Sequence, residues 1–275
     1  MKPLAIALLL LTFGASSGVQ VVADLDYAGD GLDAHRLDLY LPDDRAAAAI
    51  VVFVHGGAFM QGSRRDVAFV GRALAREGIA TAVPSYRLFP ASDAQGAVED
   101  VARAVGWTIA HAGEYHLDPR NVFLVGHSAG AQIVAVIGTN AKYLGAAGEP
   151  LDAVRGIFAV AGAYDVRDLS GEPDSWQRVD GHIYGETPQA RRALSPAVQV
   201  DPHSPPAVTA CGTEDDPHAC DRAKEFTAAL RAQGIAATTI EERGADHMGM
   251  LRALIDPNDP LNAALLYFIS VERES

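Results

Sequence analysis

Five residues, Gly126 to Gly130 (GHSAG), stand between the apolar run NVFLV and the helical run AQIVAVIG. A G-x-S-x-G between a strand and a helix places its serine on a tight turn in a strained backbone conformation, and small flanking residues avoid clashes with neighbouring chain. Ser128 is then exposed at the C-terminal end of its strand. The following helix points its N-terminus at the same spot, so the Ala129 N–H is free to donate to a developing oxyanion. Serine in this setting reads as a nucleophile.

The rest of the chain has the matching rhythm. Two alternating stretches, VQVVADLDYA and HRLDLYLP, flank the turn-rich GDGLDA and predict an antiparallel hairpin at a sheet edge. From Ala49 onward, short β-branched runs (AIVVFVH, IATAVPSY, NVFLVGH, GIFAVAG, PPAVTACG, TTIEER) alternate with helical patterns. That alternation predicts an α/β chain with a mostly parallel central sheet and helices on both faces. Within DAQGAVEDVARAVGWTIAHAG, Val98, Val101, Val105 and Ile109 recur at three or four residues and form one apolar stripe. In CDRAKEFTAALRAQG, Phe226 and Leu230 share a side and Gly234 marks the stop. The segment from about 165 to 206, with Trp176, Tyr184, several prolines and little periodicity, predicts a short insertion of the binding-loop kind. At 275 residues and 49% hydrophobic content, one domain with a sizeable core is the expectation, spanning residues 18–275.

A second motif, HGGAF at His55 to Phe59, follows the strand AIVVFV directly. Glycines there let backbone amides face a cavity, and a loop after an early central strand is where the second half of an oxyanion hole is built. Gly57 and Ala58 are the candidate donors, each worth roughly a hundredfold to a thousandfold in rate. His55 itself reads as structural support, because a base so early would break the order serine, acid, histidine.

HGGAF, PSYRLFP, DPRNVFLVGHSAGA and GADHMGM occur in the order seen in α/β-hydrolase carboxylesterases. The chain resembles the group that includes acetyl and feruloyl esterases and the hormone-sensitive-lipase-like enzymes. Two departures are Ala58, where many relatives carry a third glycine, and a short edge hairpin in place of longer N-terminal cap helices. The resemblance implies the α/β-hydrolase fold and a catalytic base after the last strand, which is His247 in GADHMGM. His35, His111, His116, His182, His203 and His218 lack that setting and read as surface or loop residues. For the acid, the family's G-x-x-D pattern favours Asp215, three residues after Gly212, which would fix the His247 tautomer through Nδ1–H. Asp216 remains a rival, since a loop can shift by one residue.

The remaining features bound the function. A formal net charge of −13 disfavours nucleic acid as a partner. Cys211 and Cys220 can pair as a disulfide, or remain two thiols. Their combination with His203 and His218 matches no zinc spacing, so no metal is expected. Glu99 and Asp100 sit on adjacent helical positions and read as a solvated face rather than a glycosidase pair. The first residues, MKPLAIALLLLTFGASSG, have the layout of a signal peptide over 1–17, cleaved just after Ser17, which predicts an exported chain, periplasmic or secreted, without a membrane span once mature. The expectation is a cofactor-independent serine hydrolase acting on small-molecule esters, with short-chain or aryl acyl groups, through a covalent acyl-serine intermediate. The alternatives are an amide hydrolase, such as an arylformamidase or peptidase, on the same triad, or a non-catalytic binding module.

Overall fold

The computed structural model describes residues 18–44, 48–170 and 180–274. The N-terminal segment 1–17, with its expected signal peptide, lies outside the described residues, as does Trp176 of the insertion.

Eight strands form one sheet: β1 (Gln20–Asp26), β2 (Arg36–Leu41), β3 (Ile50–Val54), β4 (Ala80–Pro84), β5 (Val122–His127), β6 (Val154–Val160), β7 (Ala207–Gly212) and β8 (Ala237–Glu242), in the spatial order β1-β2-β4-β3-β5-β6-β7-β8. β1 pairs antiparallel with β2, and β2 antiparallel with β4; every other neighbouring pair is parallel. The predicted edge hairpin and the mostly parallel sheet are both present. β3 and β5 are buried along their whole length, as strands covered on both faces must be.

The side-chain alternation of the strands sorts the core into two layers. Ile50, Val52 and Val54 of β3 face one layer, whereas Val51 and Phe53 face the other. The first layer is covered by α2 (Ala94–His111), α3 (Ala129–Thr139), α4 (Ala141–Ala146) and α7 (Ala219–Ala232). The second is covered by α1 (Ala68–Arg76), α8 (His247–Ile255) and α9 (Pro260–Glu274). The α2 stripe Val98, Val101, Val105 and Ile109 is buried as expected, and so are Phe226 and Leu230 of α7. Two short helices, α5 (Asp180–Tyr184) and α6 (Pro188–Ala193), occupy the insertion after β6.

Two expectations need correction. Asp100 is not on a solvated face: it is fully buried and accepts from the backbone N–H and guanidinium of Arg87, and from Arg103. His35 is not a surface residue either. Its ring is buried, with Nδ1 2.7 Å from Asp30 and Nε2 3.2 Å from Asp100, so the edge hairpin packs against α2 at that carboxylate. A buried carboxylate needs such partners, and Asp100 has them in Arg87 and Arg103.

Candidate active site

The sheet delivers the central serine at the end of β5, where the chain must turn at once into α3. Ser128 has φ +58° and ψ −123°, a left-handed conformation rare for a residue with a side chain. Hydrogen bonds hold it there: its N–H donates to Val160 O at 2.8 Å, and its carbonyl accepts from Ala131 and Gln132 at the start of α3. Close approach explains the flanking glycines. A Cβ at Gly126 would stand 2.3 Å from Gly130 O, and one at Gly130 would stand 2.1 Å from Val54 O. The strain at Ser128 is of order 1–3 kcal/mol and persists because the surrounding packing over-determines it.

The HGGAF loop follows β3, the neighbour of β5. Gly57, Ala58 and Phe59 have φ of +117°, +52° and +61°, three successive residues on the left-handed side. The turn is closed by Met60 and Gln61 N–H donating to Gly57 O, and Phe59 O accepts from Phe89 N–H at 2.8 Å. At Gly57 a Cβ would meet Gln61 O at 1.9 Å, so no other residue fits this turn. Among the described residues, the N–H groups of Gly57, Ala58 and Ala129 donate to no protein acceptor. All three residues line the same cavity as Ser128, which is the arrangement an oxyanion hole requires.

His55 has the supporting position read for it. Its ring stacks on Tyr86 at 4.3 Å, Tyr86 Oη–H donates to His55 O, and His55 Nδ1–H donates to Gly56 O at 2.7 Å. Burial holds this imidazole below its ordinary pKa, so it stays neutral.

The loop after β7 carries the acidic candidates, and the structure separates them. Asp215 Oδ2 accepts from His247 Nδ1 at 2.8 Å, and its Oδ1 accepts from the Asp216 N–H. Asp216 instead binds the Arg222 guanidinium and the His218 N–H at the start of α7. Burial pushes the Asp215 carboxyl up, but the bond and charge of His247, helped by the Asp216 amide and Arg222, outweigh it and leave the pKa lowered. Cys211 of β7 and Cys220 of α7 are joined as a disulfide across this loop.

His247 opens α8 and is half-exposed. His55, Ser128, Asp215 and His247 all line one cavity of about 900 Å³, together with Gly57, Ala58 and Ala129. Ser128 Oγ makes no side-chain hydrogen bond among the described residues; the contact between a nucleophile and its base commonly tightens only when substrate is bound.

One residue of the site was not singled out from sequence. His127, the variable position of GHSAG, is buried, donates Nε2–H to the His247 carbonyl at 2.9 Å, and packs its ring 4.8 Å from the His247 ring. Burial, followed by the charge of His247, depresses its pKa to about 4. A histidine directly before the serine was visible as a motif position, but its partner lies 120 residues away. No group of three or more histidine, cysteine or carboxylate side chains suited to a metal occurs among the described residues.

The BD-FAE family model matches residues 37–230. The chain belongs to the BD-FAE family. It is similar to the isoprenylcysteine alpha-carbonyl methylesterase ICME of Arabidopsis thaliana, with 27% identity over 246 residues, covering 81% of this chain and 55% of that protein. It is also similar to the kynurenine formamidase of Danio rerio, with 26% identity, covering 93% of this chain and 84% of that protein. The chain thus spans about half the length of the plant methylesterase it matches. Among solved structures, a truncated carbohydrate esterase from gut microbiota superposes with a TM-score of 0.79 at 20% identity, over 93% of this chain and 97% of the other. At that identity the likeness is one of fold.

Proposed function

We propose that this BD-FAE family member hydrolyses carboxylic esters through a covalent acyl-serine on Ser128. The observation that carries the proposal is the pairing of a strained Ser128 with a carboxylate-oriented His247 in one cavity, facing three unpaired backbone amides. The names of its relatives, among them methylesterases, point to the same chemistry.

In the proposed cycle Asp215 accepts the His247 Nδ1–H, which fixes the tautomer with Nε2 unprotonated. His247 Nε2 takes the Ser128 hydroxyl proton as Oγ attacks the ester carbonyl carbon. The carbonyl oxygen becomes an oxyanion and is received by the N–H groups of Gly57, Ala58 and Ala129. Collapse breaks the bond to the alcohol, which leaves with the proton from His247. Water then attacks the acyl-serine with the same histidine as base, releasing the acid and restoring Ser128.

Hydrolysis of p-nitrophenyl esters by the purified chain, beside the Ser128→Ala variant, tests this reading. Turnover in the parent and a fall of at least about a thousandfold in the variant support it; equal rates in the two proteins overturn it. The relation to a kynurenine formamidase, which spans nearly the whole chain, favours a second reading in which the bond cleaved is an aryl formamide. Rates on matched ester and formamide substrates rank the two. Export is part of the proposal as well, supported by the 1–17 segment and by the Cys211–Cys220 pair, since disulfides persist in oxidising compartments.

A further inference from the structure

The cavity around Ser128 has two unlike walls, which belong to opposite core layers. One wall is built by α1 and α8, with Val67 and Leu251 packed into their layer and Phe69 and Met248 beside them. The other is built by α3 and the insertion, with Ala163, Ile183 and Tyr184 packed into the layer that holds α2 and α3.

Reaction geometry assigns the walls. A leaving alcohol takes its proton from His247 Nε2, so its oxygen stands beside that ring and its body runs along α8 and α1. The oxyanion points to Gly57, Ala58 and Ala129. The remaining substituent of the tetrahedral carbon, the acyl chain, is directed at the opposite wall.

Among the described residues that wall is tightly packed. Tyr184 is buried, its Oη–H donates to Gln132 Oε1 at 3.2 Å, and Gln132 Nε2 in turn donates to Leu194 O. Phe59 meets the Tyr184 ring edge-on at 5.8 Å. The alcohol side is open instead, since Phe69 and Met248 are 46% and 51% exposed and Met60 extends the same apolar rim. Asp66 and Asp216 line the cavity, and among the described residues no lysine or arginine does.

Resting on the serine-esterase reading, we propose that the site takes esters of a short acyl group with a bulky, apolar, uncharged alcohol, and that Tyr184 sets the acyl limit. A long acyl chain meets the Tyr184 ring. A long apolar alcohol runs out over Met248 and Phe69. A carboxylate on the alcohol faces Asp66, with no lysine or arginine among the described lining residues to receive it.

The test uses purified protein and three ester series: p-nitrophenyl esters of rising acyl length, ethyl against 2-(1-naphthyl)ethyl acetate, and the latter against its ring-carboxylated form. Both alcohols of the second series are primary, so intrinsic leaving ability is matched. We expect kcat/KM to fall about tenfold or more from butyrate to octanoate, to rise with the naphthyl group, and to fall with the carboxylate. Tyr184→Ala should raise the octanoate-to-acetate ratio about tenfold and leave the naphthylethyl-to-ethyl ratio within about twofold. Tyr184→Leu carries the same expectation with less risk to folding, and Tyr184→Phe should keep the parent acyl profile. A flat acyl profile, a preference for the ethyl or carboxylated ester, or a Tyr184→Ala effect confined to the alcohol series overturns the proposal. Absence of turnover on every ester by a folded parent protein overturns the esterase reading beneath it, and is told apart by that breadth.

Discussion

Replacing His127 by glutamine should flatten the acid side of the stability curve. The buried imidazole titrates near 4 in the folded chain, against an ordinary value of 6.5, because burial and the neighbouring His247 both disfavour its charge. Between those two values the unfolded chain binds the proton and the folded chain does not. Stability therefore rises with pH across that window, and is lost as pH falls from about 6.5 towards 4. At about 1.36 kcal/mol per pH unit, the full window is worth about 3 kcal/mol. Glutamine keeps a donor for the His247 carbonyl but cannot titrate, so the variant should lack this loss. Urea unfolding of both proteins at a series of pH values, analysed at constant m, measures the difference directly. We expect the two stabilities to converge by about 3 kcal/mol between pH 6.5 and 4, with the parent losing more. Parallel curves across the window would refute a neutral, buried His127.

Three further outcomes are expected. Asp215→Asn should lower kcat by about four orders of magnitude through the wrong His247 tautomer, whereas Asp216→Asn, which touches Arg222 rather than His247, should lower it less than about tenfold; steady-state kinetics of the two variants compare them. Gly57→Ala should reduce kcat about a hundredfold or more, because a Cβ there meets Gln61 O at 1.9 Å and moves the oxyanion loop; thermal unfolding of the variant shows whether the loss is local. Replacing Cys211 and Cys220 together by alanine should cost about 2–3 kcal/mol on the chain-entropy account of so short a loop, read as a lower unfolding midpoint, with no change in the parent's midpoint on adding reductant counting against the bond.

Much of this architecture was legible in the sequence because it is written in short-range patterns. The alternation of β3 sorts its side chains into two layers without reference to any partner, and GHSAG carries its own strand, turn and helix. HGGAF and GADHMGM were placed by order along the chain, and the structure brings both to the Ser128 cavity. What stayed illegible depends on contacts between distant residues. Asp215 and Asp216 are neighbours that differ only in which partner they face, and the loop geometry decides between His247 and Arg222. Asp100 had the helical position of a solvated carboxylate, yet the Arg87 side chain arriving from the end of β4 buries it. His35 shares that cluster from 65 positions away, and no periodicity could have announced it. His127 was in plain view inside the motif, but its role follows from where the His247 carbonyl lies in space.

The central claim is that Ser128 is the atom-bearing nucleophile of a complete acyl-transfer site, and covalent labelling tests it most directly. The purified chain would be treated with a fluorophosphonate and its peptides read by mass spectrometry. The expected result is one phosphonyl adduct on the peptide containing GHSAG, absent from Ser128→Ala and strongly slowed in Asp215→Asn. A folded chain that takes up no adduct, or takes it up at another residue, would contradict the account.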